Sequence, residues 1–235
     1  MDVGVNITTG TLYIVSTPIG NLEDMTYRAV RVLTEVSVIA AEDTRHTRTL
    51  LAHYQIQTPL TSYHDFNKEE KAAALISRLK EGDSIALVSD AGTPTISDPG
   101  YFLINQAILA KIPVSPIPGP SAAIAALSIS GLPTDRFAFE GFTPRKKGAR
   151  AKKLMALQSD PRTLIFYESP YRVLGLLQEI EAIFGNRRVA LCREMTKKFE
   201  EVIYDDVHEV IHKLSAKKLL GEFTFVVEGN KEKGR

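Results

Sequence analysis

Several things are scarce in this sequence, and each scarcity excludes a class of protein. Its 235 residues include one cysteine, Cys192, so no disulfide can form within the chain. Cys192 ends the apolar run Val189-Ala190-Leu191-Cys192, which reads as a small buried hydrophobe rather than a catalytic thiol. The five histidines are scattered without ligand spacing and no Cys/His cluster exists, so no structural zinc site and no metal are expected. The apolar runs are strand-length and broken by turn residues, too short to span a membrane. Residues 1–10 lack the basic stretch followed by an apolar run that marks a signal peptide, and a cytoplasmic location is the expectation. Net charge is only +1, so a nucleic-acid partner would have to be met by a local patch rather than by the field of the whole protein. Neither G-x-x-x-x-G-K-[ST] nor G-x-G-x-x-G after a strand occurs, which argues against a P-loop NTPase and a dinucleotide-dependent oxidoreductase. No repeat of 20–50 residues is visible.

What is present is an alternation of short apolar runs with helical patterns. Leu12-Tyr13-Ile14-Val15 reads as a strand ending in the turn signal Pro18-Ile19-Gly20-Asn21. Ala29, Val30, Val32 and Leu33 give residues 25–35 a helical period, and residues 36–41 read as a second strand. A helix over 44–53 follows with Asp43 as its N-cap, then a strand over 60–63 and an amphipathic helix over 68–80 that stops at Gly82. Residues 85–88 form a buried-strand run, 101–110 a helix and 113–117 a strand. Strands alternating with helices predict a largely parallel sheet with helical crossovers.

The character of the chain changes at the proline-dense stretch 113–120 and the small-residue helix expected over 121–130. A boundary near 118–135 is expected there, giving an N-terminal α/β domain, 1–118, and a C-terminal one, 119–235. The second half carries strand patterns at 137–142, 163–167, 188–191, 201–204 and 222–228, with helices near 149–158, 171–184 and 207–214. Strands adjacent without an intervening helix predict a mixed sheet.

Four segments have the composition for chemistry. The loop 89–100 (Ser-Asp-Ala-Gly-Thr-Pro-Thr-Ile-Ser-Asp-Pro-Gly) leaves a buried strand, the position where open α/β sheets bind ligands. The loops 18–21 and 118–122 have similar grammar, and three matched strand-end loops point to one shared site. Glu42-Asp43-Thr44-Arg45 lies between a strand and a helix, where a carboxylate either complements the helix dipole or serves as a base held by Arg45. Residues 144–153 include Arg145, Lys146, Lys147, Arg150, Lys152 and Lys153 with no acid among them, read as a phosphate-binding loop. Lys197, in a charged segment between two strands, either belongs to a polar hairpin or faces the cleft.

Taken in order, TPIGNLEDMT, AEDTR, SDAGTPTISDPG, PGPSAA, FEGF, FYESPYR and REMTKKFEE resemble the ribosomal small-subunit RNA cytidine 2′-O-methyltransferases, a family with the tetrapyrrole methylase fold. The resemblance implies two α/β domains, the first with a largely parallel and the second with a mixed sheet, and S-adenosylmethionine in a cleft between them. It assigns Pro18, Asp90, Ala91, Gly92, Thr93, Pro94, Ser121 and Ala122 to the cofactor, together with Tyr167, Leu191, Cys192 and Thr224 of the second domain. TPIGN and AEDTR would line the acceptor side, with Asp43 or Glu42 taking the 2′-hydroxyl proton and Arg45 and Lys197 positioning the phosphate or the oxygen. The implied partner is 16S rRNA in the small ribosomal subunit, held by the basic loop, and the implied assembly is a homodimer. Longer members carry a small module beyond the point where this sequence reaches Arg235, which would place more of the RNA binding on that loop. The alternatives are a tetrapyrrole methyltransferase of the same fold and a non-catalytic RNA-binding module.

Overall fold

The computed structural model describes residues 9–231; most of the stretch read for a signal peptide and the charged tail past Lys231 lie outside the described residues. The chain forms two compact units that divide between Ser121 and Ala122.

The first unit is built on β1 (Leu12–Val15), β2 (Val38–Ala41), β3 (Leu60–Ser62), β4 (Ile85–Val88) and β5 (Val114–Ile117) in the order β3-β2-β4-β1-β5, all paired in parallel. β2 and β4 are buried along their whole length, as expected of strands covered on both faces. Their side chains alternate. Ile85 and Leu87 join a core with Ala72, Leu75 and Leu79 of α3 (Lys68–Lys80) and Leu103 and Ala107 of α4 (Tyr101–Leu109). Ala86 and Val88 point the other way, to Ala29, Val32 and Leu33 of α1 (Tyr27–Glu35) and Leu51 of α2 (Thr44–His53). The chain therefore leaves β1 and β2 toward one face and leaves β4, which lies between them, toward the other. Such a reversal opens a binding crevice at the carboxyl ends of the strands. Caps set the helix starts: Thr26 Oγ1 accepts the Ala29 N–H at 3.1 Å, and an Asp43 carboxylate oxygen accepts the Arg45 N–H at 2.8 Å.

The second unit pairs β6 (Phe137–Phe142), β7 (Thr163–Glu168), β10 (Phe223–Val227), β8 (Arg188–Arg193) and β9 (Glu201–Asp206) in the order β6-β7-β10-β8-β9. β6 and β7 are parallel and the rest antiparallel, the mixed sheet expected. One face packs Leu164, Phe166, Leu191, Phe223 and Phe225 against α6 (Lys147–Leu157), α7 (Val173–Phe184) and α8 (Val207–Ser215). The other face meets α5 (Ala122–Ile129) at β7 and β10.

One expectation is corrected. The basic segment 145–153 is not a loop: from Lys147 onward it is the first turns of α6. Ala149, Ala151, Leu154 and Leu157 favour helix, and Leu154, fully buried, anchors it on the core. The helix read near 149–158 starts two residues earlier, at Lys147, so most of the basic run lies on it.

Candidate functional site

In the first unit the loops after β1, β4 and β5 are tied together. Thr17 and Gly92 exchange two backbone hydrogen bonds, at 2.9 and 3.0 Å. Thr93 Oγ1 donates to the Pro120 carbonyl at 3.0 Å, which leaves Ser16 Oγ as the donor in its 2.9 Å bond to Thr93 Oγ1. Gly119 approaches Ser16 so closely that a Cβ would stand 2.9 Å from the Ser16 Cβ. Pro18, Asp90, Ala91, Gly92, Thr93, Pro94 and Ser121 all sit on these three joined loops. Buried Ser16, which makes the junction with Thr17 of TPIGN, escaped the sequence reading. Its signal was slight, one small hydroxyl residue directly after a buried strand. Within the β4 loop, Gly92 (φ +80°), Thr95 (+75°), Ser97 (+73°) and Gly100 (+142°) all have positive φ. Residues with a Cβ occupy that region sparingly, and such strain concentrates at functional sites.

Carboxylates gather beside the same loop. The Asp90 carboxylate accepts the Asp43 N–H at 3.0 Å and so joins the β4 loop to the start of α2. Burial pushes the Glu42 carboxyl above its ordinary value, and the facing charges of Asp98 and Asp90 push it further. Burial also raises Asp98, helped by Asp90 and opposed by a hydrogen bond from Ser89. Asp43 is the opposite case. Its two oxygens take the Arg45 guanidinium at 2.8 and 3.2 Å as well as the Arg45 N–H, which holds it well below the usual carboxylate range. Of the two acids left open by the sequence, Asp43 is occupied with capping and ion pairing, and Glu42 has the elevated proton affinity that suits a base. Arg45 is exposed and bound to Asp43.

In the second unit, register places Tyr167 opposite Thr224 and Thr224 opposite Cys192, so three of the predicted cofactor residues form one row across β7, β10 and β8. The Tyr167 hydroxyl accepts the Ala123 N–H at 2.9 Å, fixing the first turn of α5 next to Ala122. Leu191 is one residue out of step and its side chain lies in the core with Phe166 and Phe225, because the period of two in a strand sends neighbours to opposite faces. Cys192 is fully buried and its thiol is pushed up to about 12 by burial and then by Glu200, consistent with a packing residue.

The six predicted RNA-binding cations separate into two groups. Arg150 makes a two-pronged pair with Glu179 of α7 at 2.6 and 2.7 Å, both side chains more than four-fifths buried. Lys153 bonds the Glu140 carbonyl at 2.7 Å and its carboxylate at 3.1 Å. These two hold the unit together, a correction to the reading of the run as unbalanced charge, because the balancing acids arrive from β6 and α7. Arg145, Lys146, Lys147 and Lys152 remain exposed. Lys197 is held by Glu194 at 3.0 Å and Glu222 at 2.9 Å, the polar-hairpin alternative. A buried cluster missed in the sequence lies at the end of β7: Glu168 accepts from Thr143 Oγ1, Arg172 Nη2 and the Ser169 N–H at 2.7–2.8 Å. Both Glu168 and Arg172 stand in FYESPYR, yet that string gave no hint that they face Thr143.

A family model described as Tetrapyrrole (Corrin/Porphyrin) Methylases matches residues 11–211, and the chain belongs to that family. Within it, the chain is 53% identical over 224 residues to the Halalkalibacterium halodurans protein named Ribosomal RNA small subunit methyltransferase I, covering 95% of this chain and 78% of that one. The Vibrio cholerae protein of the same name is 50% identical over 226 residues, covering 95% of this chain and 78% of its own. Among solved structures, uroporphyrin-III-C-methyltransferase from Thermus thermophilus superposes with a TM-score of 0.65 at 24% identity, over 93% of this chain and 94% of that one. Diphthine synthase does so with a TM-score of 0.68 at 13% identity, over 93% and 89%. At those identities the structural likeness speaks to the fold.

Proposed function

We propose that this protein is an S-adenosylmethionine-dependent methyltransferase that modifies RNA of the small ribosomal subunit, at the 2′-oxygen of a cytidine in 16S rRNA. The observation that carries the reading is the likeness, at about half identity along nearly the whole chain, to proteins named for methylating small-subunit ribosomal RNA. The residues of the first unit suit the cofactor. A Cβ on Gly92 would come within 3.4 Å of Ile19 Cγ2 and 3.7 Å of the Pro120 carbonyl, so glycine there keeps open the space between the joined loops. Glu42, Asp90 and Asp98 face one another beside that loop, an arrangement that a cationic ligand relieves and a sulfonium matches.

When bound, S-adenosylmethionine supplies a methyl group on a good leaving group, so alignment and removal of one proton are what the chain must provide. Asp90, Ala91, Gly92, Thr93 and Pro94, with Pro18 and Ser121, would hold the cofactor on the first unit. On the second, Ala122, Tyr167 and Thr224 would contribute, with Cys192 beside Thr224 in the same row of the sheet. Glu42 would take the proton of the ribose 2′-hydroxyl on a carboxylate oxygen, leaving that oxygen free to receive the methyl group the cofactor would supply. Arg45, exposed at the start of α2, steadies the acceptor phosphate, and Asp43 sets its orientation. Lys197, held between Glu194 and Glu222, would help position the acceptor phosphate or the 2′-oxygen. The working assembly is a homodimer, and the site of action is the cytoplasm.

The test uses labelled S-adenosylmethionine with small subunits that lack the modification, with a tetrapyrrole, and with buffer alone. Label on the small-subunit RNA is the expected outcome. Label on the tetrapyrrole alone, or nowhere, overturns the reading. In the same assay Glu42→Gln is expected to lower turnover at least tenfold, in the range of general-base contributions, while Asp43→Asn retains most of it. The reverse pattern moves the proton to Asp43.

A further inference from the structure

Beyond the cations, one corner of the second unit carries exposed aromatic rings, and buried hydrogen bonds fix them there. Phe142, the last residue of β6, is 57% exposed, and its ring meets the Tyr167 ring edge-on at 5.7 Å. Tyr171, between β7 and α7, is 91% exposed. The residues that follow each ring are bound to each other: Arg172 Nη2 donates to the Thr143 carbonyl at 2.6 Å and to Thr143 Oγ1 at 2.8 Å. Glu168 closes the cluster by accepting from both side chains. Phe142 and Tyr171 thus emerge from adjoining backbone.

The basic segment leaves from the same place. Arg145, Lys146 and Lys147 begin two residues after Thr143, all exposed, with Lys147 also near enough to Glu179 to feel its charge. Lys146 is the N-cap of α6 and makes no side-chain cap bond, so the first-turn N–H groups remain available to an outside acceptor. Isolated exposed aromatics are ordinary on a protein surface. Two rings rooted in one buried cluster beside three exposed cations and an uncapped helix start are a combination found where single strands of nucleic acid bind.

We infer that this corner binds unpaired RNA, with Arg145, Lys146, Lys147 and the start of α6 holding phosphates and Phe142 and Tyr171 stacking on bases. The inference rests on the reading of the protein as an RNA methyltransferase and adds the form of RNA that it engages. Bases inside a duplex have their faces covered by neighbours, so flat exposed rings find a stacking surface only on nucleotides out of the stack. Because the buried cluster already fixes both backbone segments, binding orders little more than the rings themselves.

The experiment measures binding of the full chain to a fluorescein-labelled, unstructured RNA of about 12 nucleotides, alone and annealed to its complement, by anisotropy across a salt series. The single strand is expected to bind more tightly than the duplex. Tyr171→Ala and Phe142→Ala should each weaken the single strand roughly tenfold with an unchanged salt slope, and Tyr171→Phe should restore it. Replacing Lys146 and Lys147 by alanine should reduce the slope by about 0.7 for each phosphate no longer neutralised. Equal affinity for duplex and single strand, or wild-type affinity in Tyr171→Ala, overturns the inference. Transfer to the small subunit by the wild type with no effect of the ring variants overturns this inference alone. Absence of both RNA binding and transfer in the wild type overturns the parent reading with it.

Discussion

Removing Glu168 is the most demanding test of how the second unit is built. Its carboxylate is buried and accepts three hydrogen bonds at 2.7–2.8 Å, from the Thr143 hydroxyl, the Arg172 guanidinium and the Ser169 N–H. Glu168→Ala leaves the guanidinium without its counter-ion in a largely buried place and leaves the Ser169 N–H without its acceptor. Breaking a buried pair this way costs about 3–5 kcal/mol. The lower end applies, because the Arg172 side chain is 24% exposed and keeps the Thr143 carbonyl at 2.6 Å. About 3 kcal/mol is therefore expected, measured as the change in urea midpoint by far-UV circular dichroism, with the m-value checked for constancy. Replacing both partners, Glu168→Leu with Arg172→Met, removes both charges and should cost less than the two single losses added together, by about 2 kcal/mol. A loss below about 1 kcal/mol in Glu168→Ala, or single costs that simply add, would show that the cluster is not the coupled unit described.

Two further outcomes follow from the first unit. Burial and facing carboxylates raise the Glu42 pKa in the folded state, so between the unfolded and folded values the native protein binds more protons and stability falls as pH rises through that window. Glu42→Gln escapes the penalty: its melting temperature should exceed that of the wild type at pH 7, and the gap should close below the ordinary glutamate value of 4.5. A variant that melts lower at pH 7 refutes this. In the β4 loop, Gly100→Ala should cost about 3 kcal/mol, combining backbone strain with overpacking, because its Cβ would meet Leu87 Cδ2 and Thr95 Cγ2 at 2.8 Å. Gly92→Ala has room at 3.4 Å and pays only for its positive φ, about 1–2 kcal/mol. Urea unfolding of both variants checks the order, and a costlier Gly92→Ala contradicts it.

The local framework was legible in the sequence because the forces that set it act locally. Apolar runs such as Ile85-Ala86-Leu87-Val88, bounded by turn residues, gave the strands their positions, and helical periods with capping residues such as Asp43 gave the helices. Glycine and proline marked the strand-end loops for the same reason: their backbone preferences travel with them wherever they are placed. Even the meeting of three loops at one edge followed from strand–helix alternation. What an ionisable side chain does was not legible, because that depends on what the fold places opposite it. Arg150 and Glu179 are 29 residues apart, and nothing near Arg150 in the chain marks it as paired. Glu42 and Asp43 are neighbours of one charge type, and only tertiary structure separates them, setting one against Asp90 and Asp98 and handing the other to Arg45. The face toward which Leu191 points required the sheet register. Hydrophobic patterning determined where the chain turns and buries itself; electrostatic roles, which vary with distance and dielectric, were decided by the tertiary structure.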